Sequence, residues 1–249
     1  VDYEDQVKKV AAVPDVVAAT PFIFRQVLLT SPSGVQGIIL RGIDPAREGT
    51  VTELAHNLVN SNLDDLARQN KVVIPEKERE PNGSDTAMRP GIILGKELSM
   101  RLGAFPGDTL NVVSPVGPVT GASMTPKIRQ FVVVGIFQSG MYEYDSSLAY
   151  IELGEAQKFF NMGASVTGIE VKVTDVFRAA DIARAIEHHL GFAFWARDWM
   201  QMNRNLFSAL KLEKTMMFLL LVLITIVASF NIVSTLTMIV TEKQREIAI

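Results

Sequence analysis

The sequence predicts an α+β domain followed by a stalk helix and one transmembrane helix, on three observations. First, residues 216–240 (MMFLLLVLITIVASFNIVSTLTMIV) contain no Asp, Glu, Lys, Arg or His. A helix of that length extends about 37 Å, enough to cross a hydrocarbon core about 30 Å thick. The alternative, a central helix of a large soluble fold, would have to run that far without a charge. Second, residues 1–198 alternate short strand-like runs with amphipathic helical segments and Gly- or Pro-marked turns. Third, neither Pro nor Gly interrupts residues 199–240. There Trp199, Met202, Leu206 and Leu210 mark an apolar stripe, which predicts a rigid helix continuous from Trp199 through the span.

Each element has its own signal. Val7, Val10 and Ala11 lie at helical spacing before Pro14. Residues 16–29 are rich in Val, Ile and Phe and read as one long strand, or two broken at Pro21. A turn at 31–34 and a strand at 37–43 make a hairpin, closed at Asp44-Pro45. Leu54, Leu58, Leu63 and Leu66 predict one or two helices within 53–70, and residues 72–74 are strand-like. Residues 76–89 are charged and read as an exposed loop. A strand runs into a helix over 92–102, and strands follow at 109–113, 131–137 and 148–151. Between the first two of these, residues 114–129 carry three prolines and two glycines, which predicts a projecting hairpin tip. Residues 140–146 read as a turn. The last third gives a helix at 155–160, a strand at 169–173, a helix at 177–190 and a strand at 192–195. This helix-then-strand end loosely echoes residues 4–24, which suggests a unit built from both chain ends around a middle insertion.

Composition excludes more chemistry than it suggests. With no cysteine in 249 residues there is no disulfide, thiolate metal site or Cys nucleophile. A net charge of -3, with scattered Lys and Arg, gives no basis for nucleic-acid binding. The adjacent His188 and His189 point to different sides of a helix, where a favourable contact with the helix dipole explains them better than a metal. No serine-elbow or phosphate-loop motif occurs. Glu143 and Asp145 flank Tyr144 in a segment better read as a solvated turn than as an acid–base pair. Within the span, Asn231, Ser234, Thr235 and Met238, followed by Thr241 and Glu242, share one face, and such faces meet another helix or a cavity. Met216 and Met217 at its start suit an adaptable apolar site. Arg204, Lys211 and Lys214 before the span balance Lys243 and Arg245 after it, so charge does not orient it. Both chain ends read as cuts within a longer membrane protein.

The run from Met216-Met217 through Asn231-Ile232-Val233-Ser234-Thr235-Leu236 to Glu242-Lys243-Gln244-Arg245-Glu246 resembles the second span and following segment of FtsX/MacB-type ABC permeases. Within them it is most similar to the lipoprotein-releasing permeases of the LolC/LolE type. Leu40-Arg41-Gly42-Ile43-Asp44-Pro45, residues 92–108 and Gly140-Met141-Tyr142-Glu143-Tyr144-Asp145-Ser146 also fit. The resemblance implies a MacB-like periplasmic domain, with a split αβ porter-like subdomain at 1–50 and 150–198 and a β-rich, sabre-like lobe at 51–149. A stalk at 199–215, the span at 216–240 and the start of a cytoplasmic coupling segment at 241–249 complete it.

Function follows as an expectation from the same resemblance. The chain would be a non-catalytic subunit at the bacterial inner membrane, with residues 1–215 largely periplasmic. It would have no cofactor of its own, since ATP and Mg would bind a cytoplasmic ABC ATPase partner. A second permease copy or paralogue would complete the transporter, which would lift lipoproteins from the membrane and pass them to a periplasmic lipoprotein carrier. Met216, Met217, Leu220, Leu221 and Asn231 would line the lipid cavity, and Glu242, Lys243, Arg245 and Glu246 would couple to the ATPase. Met124, Thr125, Pro126, Lys127 and Arg129 would form the carrier-docking hairpin, which is shortened and nearer to a LolE-like version. The alternatives are a MacB-like efflux permease and an FtsX-like module that activates a cell-wall hydrolase.

Overall fold

The computed structural model describes residues 3–59, 61–68, 70–73, 86–115, 119–120, 123–124, 126–191 and 194–247. The chain divides into two units, Val1–Ala196 and Arg197–Ile249. In the first, helix α1 (Tyr3–Ala11) leads into β1 (Val16–Ser31), one strand of 16 residues that turns tightly into β2 (Gly34–Ile43). Pro21 does not break β1, because pairing with β2 begins only at Phe22 and β1 has its other neighbour alone at that point.

Asp44-Pro45 starts a helix rather than simply closing the hairpin. The Asp44 carboxylate accepts the Ala46 N–H at 3.1 Å, and Pro45 opens α2 (Pro45–Val51), the standard chemistry of an N-cap followed by proline. The helical signal within 53–70 shrinks to α3 (Asp64–Ala67). Leu54, Leu63 and Leu66 are buried as expected, but Leu58–Val59 forms β3 against the edge of a core strand. Tertiary pairing overrides local propensity there. Strand β4 (Asn70–Val73) pairs with β5 (Thr86–Arg89), so the end of the expected loop is a strand. The rest of that loop, 76–85, lies outside the described residues, as does Ile74 of the strand expected at 72–74.

The remaining elements are β6 (Gly91–Gly95), α4 (Lys96–Leu102), β7 (Thr109–Ser114), β8 (Val119–Thr120), β9 (Ser123–Met124), β10 (Lys127–Phe137), α5 (Tyr142–Ser147), β11 (Leu148–Glu152), α6 (Leu153–Phe160), β12 (Gly168–Val173) and α7 (Ala179–Leu190). Two expectations change. Residues 142–147 are helical, held by Asp145, a buried carboxylate that accepts the Ser139 N–H and hydroxyl at 2.8 and 2.7 Å. Asp145 is therefore not part of a solvated turn: its carboxylate is enclosed and held by Ser139. The expected strand at 192–195 is irregular at Phe194 and Trp195, because Phe194 turns back to the Gly191 carbonyl; Phe192 and Ala193 lie outside the described residues.

Pairing closes six strands into a ring: β1–β2–β11–β6–β10–β7 and back to β1 through Leu28–Thr30. Closure leaves the six ring strands flanked on both sides, so that the sheet ends in the short strands β12 and β3. Strand β12 extends from β1, and β3 from β10. Residues from the two ends of the domain supply β12, β1, β2 and β11; the middle supplies β6, β7, β10 and β3. The largest core unites Ile23, Leu29, Leu40, Leu94, Val112 and Phe131 with Leu98 of α4 and Phe159 of α6. Packing is tight enough that a Cβ on Gly42 would stand 2.5 Å from the Ala156 Cβ. A second core lies under α2 and α3, around Ile43, Leu66, Phe137 and Tyr150. A third joins Val10 and Val13, at the end of α1, to Ile182 and Ile186 of α7.

The second unit holds α8 (Trp199–Met202) and α9 (Arg204–Ile247). The helix expected to be continuous from Trp199 breaks at Asn203. Asp198 caps α8 through the Gln201 N–H, whereas the Asn203 side-chain amide and backbone N–H both donate to the Trp199 carbonyl. The Asn203 carbonyl then accepts from Phe207 N–H and starts α9. An asparagine that bonds locally competes with the helix and favours its ends. From Arg204 onward α9 runs 44 residues, about 66 Å, without interruption.

Candidate functional surfaces

Strand alternation decides what the hairpin base presents. Phe131 and Val133 of β10 point into the main core, so Arg129 and Lys127 point the same way, and Ile128 points outward. The Lys127 ammonium donates to the Lys158 carbonyl at 3.0 Å and to the Asn161 side chain at 2.9 Å. Arg129 pairs with Glu155 and lies over the Phe131 ring. The two cations are thus engaged with α6 and the segment after it. Pro126 is exposed, Met124 sits in β9 opposite Val119, and Thr125 lies outside the described residues.

The outward face carries a feature that composition did not reveal. Ile128 of β10 is opposite Val113 of β7, which is opposite Leu28 of β1, which is opposite Gly37 of β2. This single cross-strand row runs over four strands, with Ile128 60% and Leu28 42% exposed. Val35 and Phe24 add exposed apolar surface on the same side of β2 and β1. The signal was available in part, since counting back from the buried Phe131 by twos gives Arg129 and Lys127 and leaves Ile128 on the opposite face. The pairing of β7 with β1, which brings Leu28 beside Val113, is non-local and leaves no trace in the sequence.

Helix α9 gathers the residues expected of the cavity. At about 100° per residue, Met216, Met217, Leu220, Leu221 and Asn231 fall within a sector of about 140°. All of them are exposed, and the apolar stretch has a mean hydropathy of 2.6 with none of it buried. The polar face is less polar than it reads: the hydroxyls of Thr235 and Thr241 each donate to the carbonyl four residues earlier, as those of Thr225, Ser229 and Thr237 do elsewhere on the helix. Asn231 is the residue on this face that offers a side-chain amide. Glu242, Lys243, Arg245 and Glu246 continue the same helix, with side chains described only as far as Gln244.

A buried polar group lies beneath α2. Arg41 sits between the Phe22 and Tyr150 rings, at 5.2 and 5.9 Å, and pairs with Glu170 of β12. Glu48 of α2 is wholly buried and accepts the Thr52 hydroxyl at 3.1 Å. Burial, opposed by Arg41 and reinforced by Glu170, pushes the Glu48 carboxyl up to about 7. Burial likewise pushes the Tyr150 phenol up to about 12. Among the described residues no group of three or more His, Cys, Asp or Glu is placed to hold a metal.

Residues 1–189 match the family described as the MacB-like periplasmic core domain. Over 235 residues the chain is 37% identical to the lipoprotein-releasing system transmembrane protein LolC of Neisseria meningitidis, covering 94% of this chain and 52% of that one. It is 24% identical to the corresponding LolE of Haemophilus influenzae, covering 97% and 53%. The periplasmic region of MacB from Actinobacillus actinomycetemcomitans aligns with a TM-score of 0.46 at 14% identity, covering 82% of this chain and 81% of that one. The chain spans about half the length of the curated relatives it matches. Residues 1–215 are largely periplasmic, and α9 carries the inner-membrane span. A closed α+β domain matched over residues 1–189, with a membrane-length helix behind it, makes this chain a member of the MacB-like periplasmic core domain family.

Proposed function

We propose that the chain is a non-catalytic transmembrane subunit of an ATP-driven transporter that extracts lipoproteins from the inner membrane and hands them to a periplasmic carrier. The observation that supports this reading most is the likeness to lipoprotein-releasing transmembrane proteins, which runs through domain and span alike. The higher identity to the LolC relative than to the LolE relative favours a LolC-like place in the assembly, against the shortness of the hairpin. In this reading a separate cytoplasmic subunit binds ATP and Mg, and a second permease completes the cavity. Acyl chains of the substrate meet the α9 sector of Met216, Met217, Leu220 and Leu221, where flexible thioethers adapt to them. Asn231, a polar group at mid-depth, meets another helix or the substrate's polar linkage. The carrier docks at the hairpin, and the outward row of Ile128, Val113 and Leu28 supplies its apolar contact more readily than the engaged Lys127 and Arg129 do.

Photoreactive residues placed at Met217 and at Pro126 test both halves. The expected result is an acylated lipoprotein captured at the first and a soluble carrier at the second. Capture of a cell-wall hydrolase at Pro126, with nothing acylated at Met217, would replace the reading with a signalling module. Capture of a non-acylated periplasmic substrate would replace it with efflux.

A further inference from the structure

The group beneath α2 has the make-up of a conformational device. Arg41 of β2 gives one guanidinium nitrogen to Glu170, while its Nε is buried with no hydrogen-bond partner. Glu48 Oε2 and Thr20 Oγ1 are likewise buried and unpartnered, on α2 and on β1. Thr20 is directly across from Glu170, and Arg41 directly across from both Phe24 and Tyr150, so these side chains occupy one face of the β12–β1–β2–β11 sheet. Two carboxylates therefore compete for one guanidinium. The outer one, Glu170, holds it; the inner one, Glu48, is wholly buried on the helix that covers it.

We propose that Glu48 is a proton-operated latch: neutral, it lets α2 stay seated on the sheet; ionised, it is a buried charge whose nearest cation, Arg41, is already held by Glu170, and α2 loosens. Every element packed around it contributes to the balance. Arg41 on β2 favours the ionised form, whereas Glu170 on β12 and the cap residue Asp44 oppose it, after burial itself, which opposes it most. The Tyr150 phenol on β11 stays neutral. Lys172 on β12 is paired with Glu53, Arg47 on α2 with Glu4 and Asp44, and α3 adds Asp64 and Asp65. The sign follows from the raised carboxyl. Between the ordinary value of 4.5 and about 7 the folded state holds a proton that the unfolded chain has lost, so stability falls as pH rises through that window. Above about 7 the loss is complete, and α2 is at its loosest.

The test uses the full chain in detergent. Thermal unfolding is followed from pH 5 to pH 8.5 for the wild type, Glu48→Gln and Glu170→Gln. Glu48→Gln should match the wild type at pH 5 and exceed it by several degrees at pH 8. Glu170→Gln, which frees Arg41 for Glu48, should move the wild-type decline to lower pH. Hydrogen exchange of residues 45–51, corrected for intrinsic rates and compared with α7, supplies a reading on the wild type that needs no variant to fold. Protection should fall in α2 alone between pH 6 and pH 8. A gap between Glu48→Gln and wild type that does not change with pH, an unmoved decline in Glu170→Gln, or constant α2 protection would each overturn the latch.

Discussion

The domain and the long helix bury their apolar residues on opposite terms. In the domain, Phe131 and Phe159 meet edge to face at 6.2 Å, and the surrounding side chains are fully enclosed. In α9, Phe230 is 71% exposed, and so in varying degree is every apolar residue around it. The hydrophobic effect acts on both. The first region satisfies it with its own chain, and the second leaves it to an environment the chain does not contain. A domain whose core is completed by its own chain is therefore joined to a helix that requires other apolar surroundings, and the lipid-contacting part of the proposal belongs to the helix.

The most severe way to test this contrast is to make the same truncation in both places. Phe131→Ala opens a cavity at the centre of the closed ring and should cost about 3–5 kcal/mol, close to the whole stability of a typical domain. Phe230→Ala should leave unfolding of the domain unchanged, because its ring is largely exposed on α9. Thermal denaturation in detergent, followed by near-ultraviolet circular dichroism, reads both. Equal losses would mean that the helix is part of the domain's core.

Sequence reading succeeded where the determinant was local. The apolar block of α9 and the strand–helix passage from β6 to α4 show in the order of residues alone. Asp44-Pro45 carries a local signal too, an N-cap followed by proline, but a hairpin end has the same residues. The closed ring could not be read. It depends on three residues of β1 meeting β7 some 80 positions later, and on Gly42 admitting α6 against the sheet. The same difference divides the functional surfaces. The α9 sector follows from helical spacing, whereas the orientation of Lys127 and Arg129 towards α6 depends on how β10 is set in the ring.

A smaller disturbance separates helix continuity from helix presence. Two glycines inserted after Lys211 cost about 2 kcal/mol of local helix stability and leave the span itself intact. If motion passes along α9, release of lipoprotein should fall several-fold while ATP hydrolysis by the assembled transporter continues. The break at Asn203 narrows the claim, since stiffness is required only from Arg204 onward. The same insertion between Met202 and Asn203, where the helix is already interrupted, should be much milder. Equal defects at the two sites would show that length rather than stiffness matters.

The mildest test falls on the domain's outer wall, where the contrast with α9 is least sharp. Ile128 is an apolar residue that the domain leaves exposed, as α9 does throughout. If the row from Ile128 to Leu28 meets the carrier, Ile128→Asp places a charge in an apolar contact and should weaken carrier capture about tenfold, or about 1.4 kcal/mol. The fold should tolerate it, since the side chain points to solvent and its neighbour across the ladder is Val113. Lys127→Ala serves as the comparison. It removes two hydrogen bonds to the segment around α6 and should cost the domain about 1 kcal/mol while leaving capture nearly unchanged. The opposite ranking, with Lys127→Ala abolishing capture and Ile128→Asp harmless, would return the docking role to the basic residues and leave the apolar row as ordinary surface.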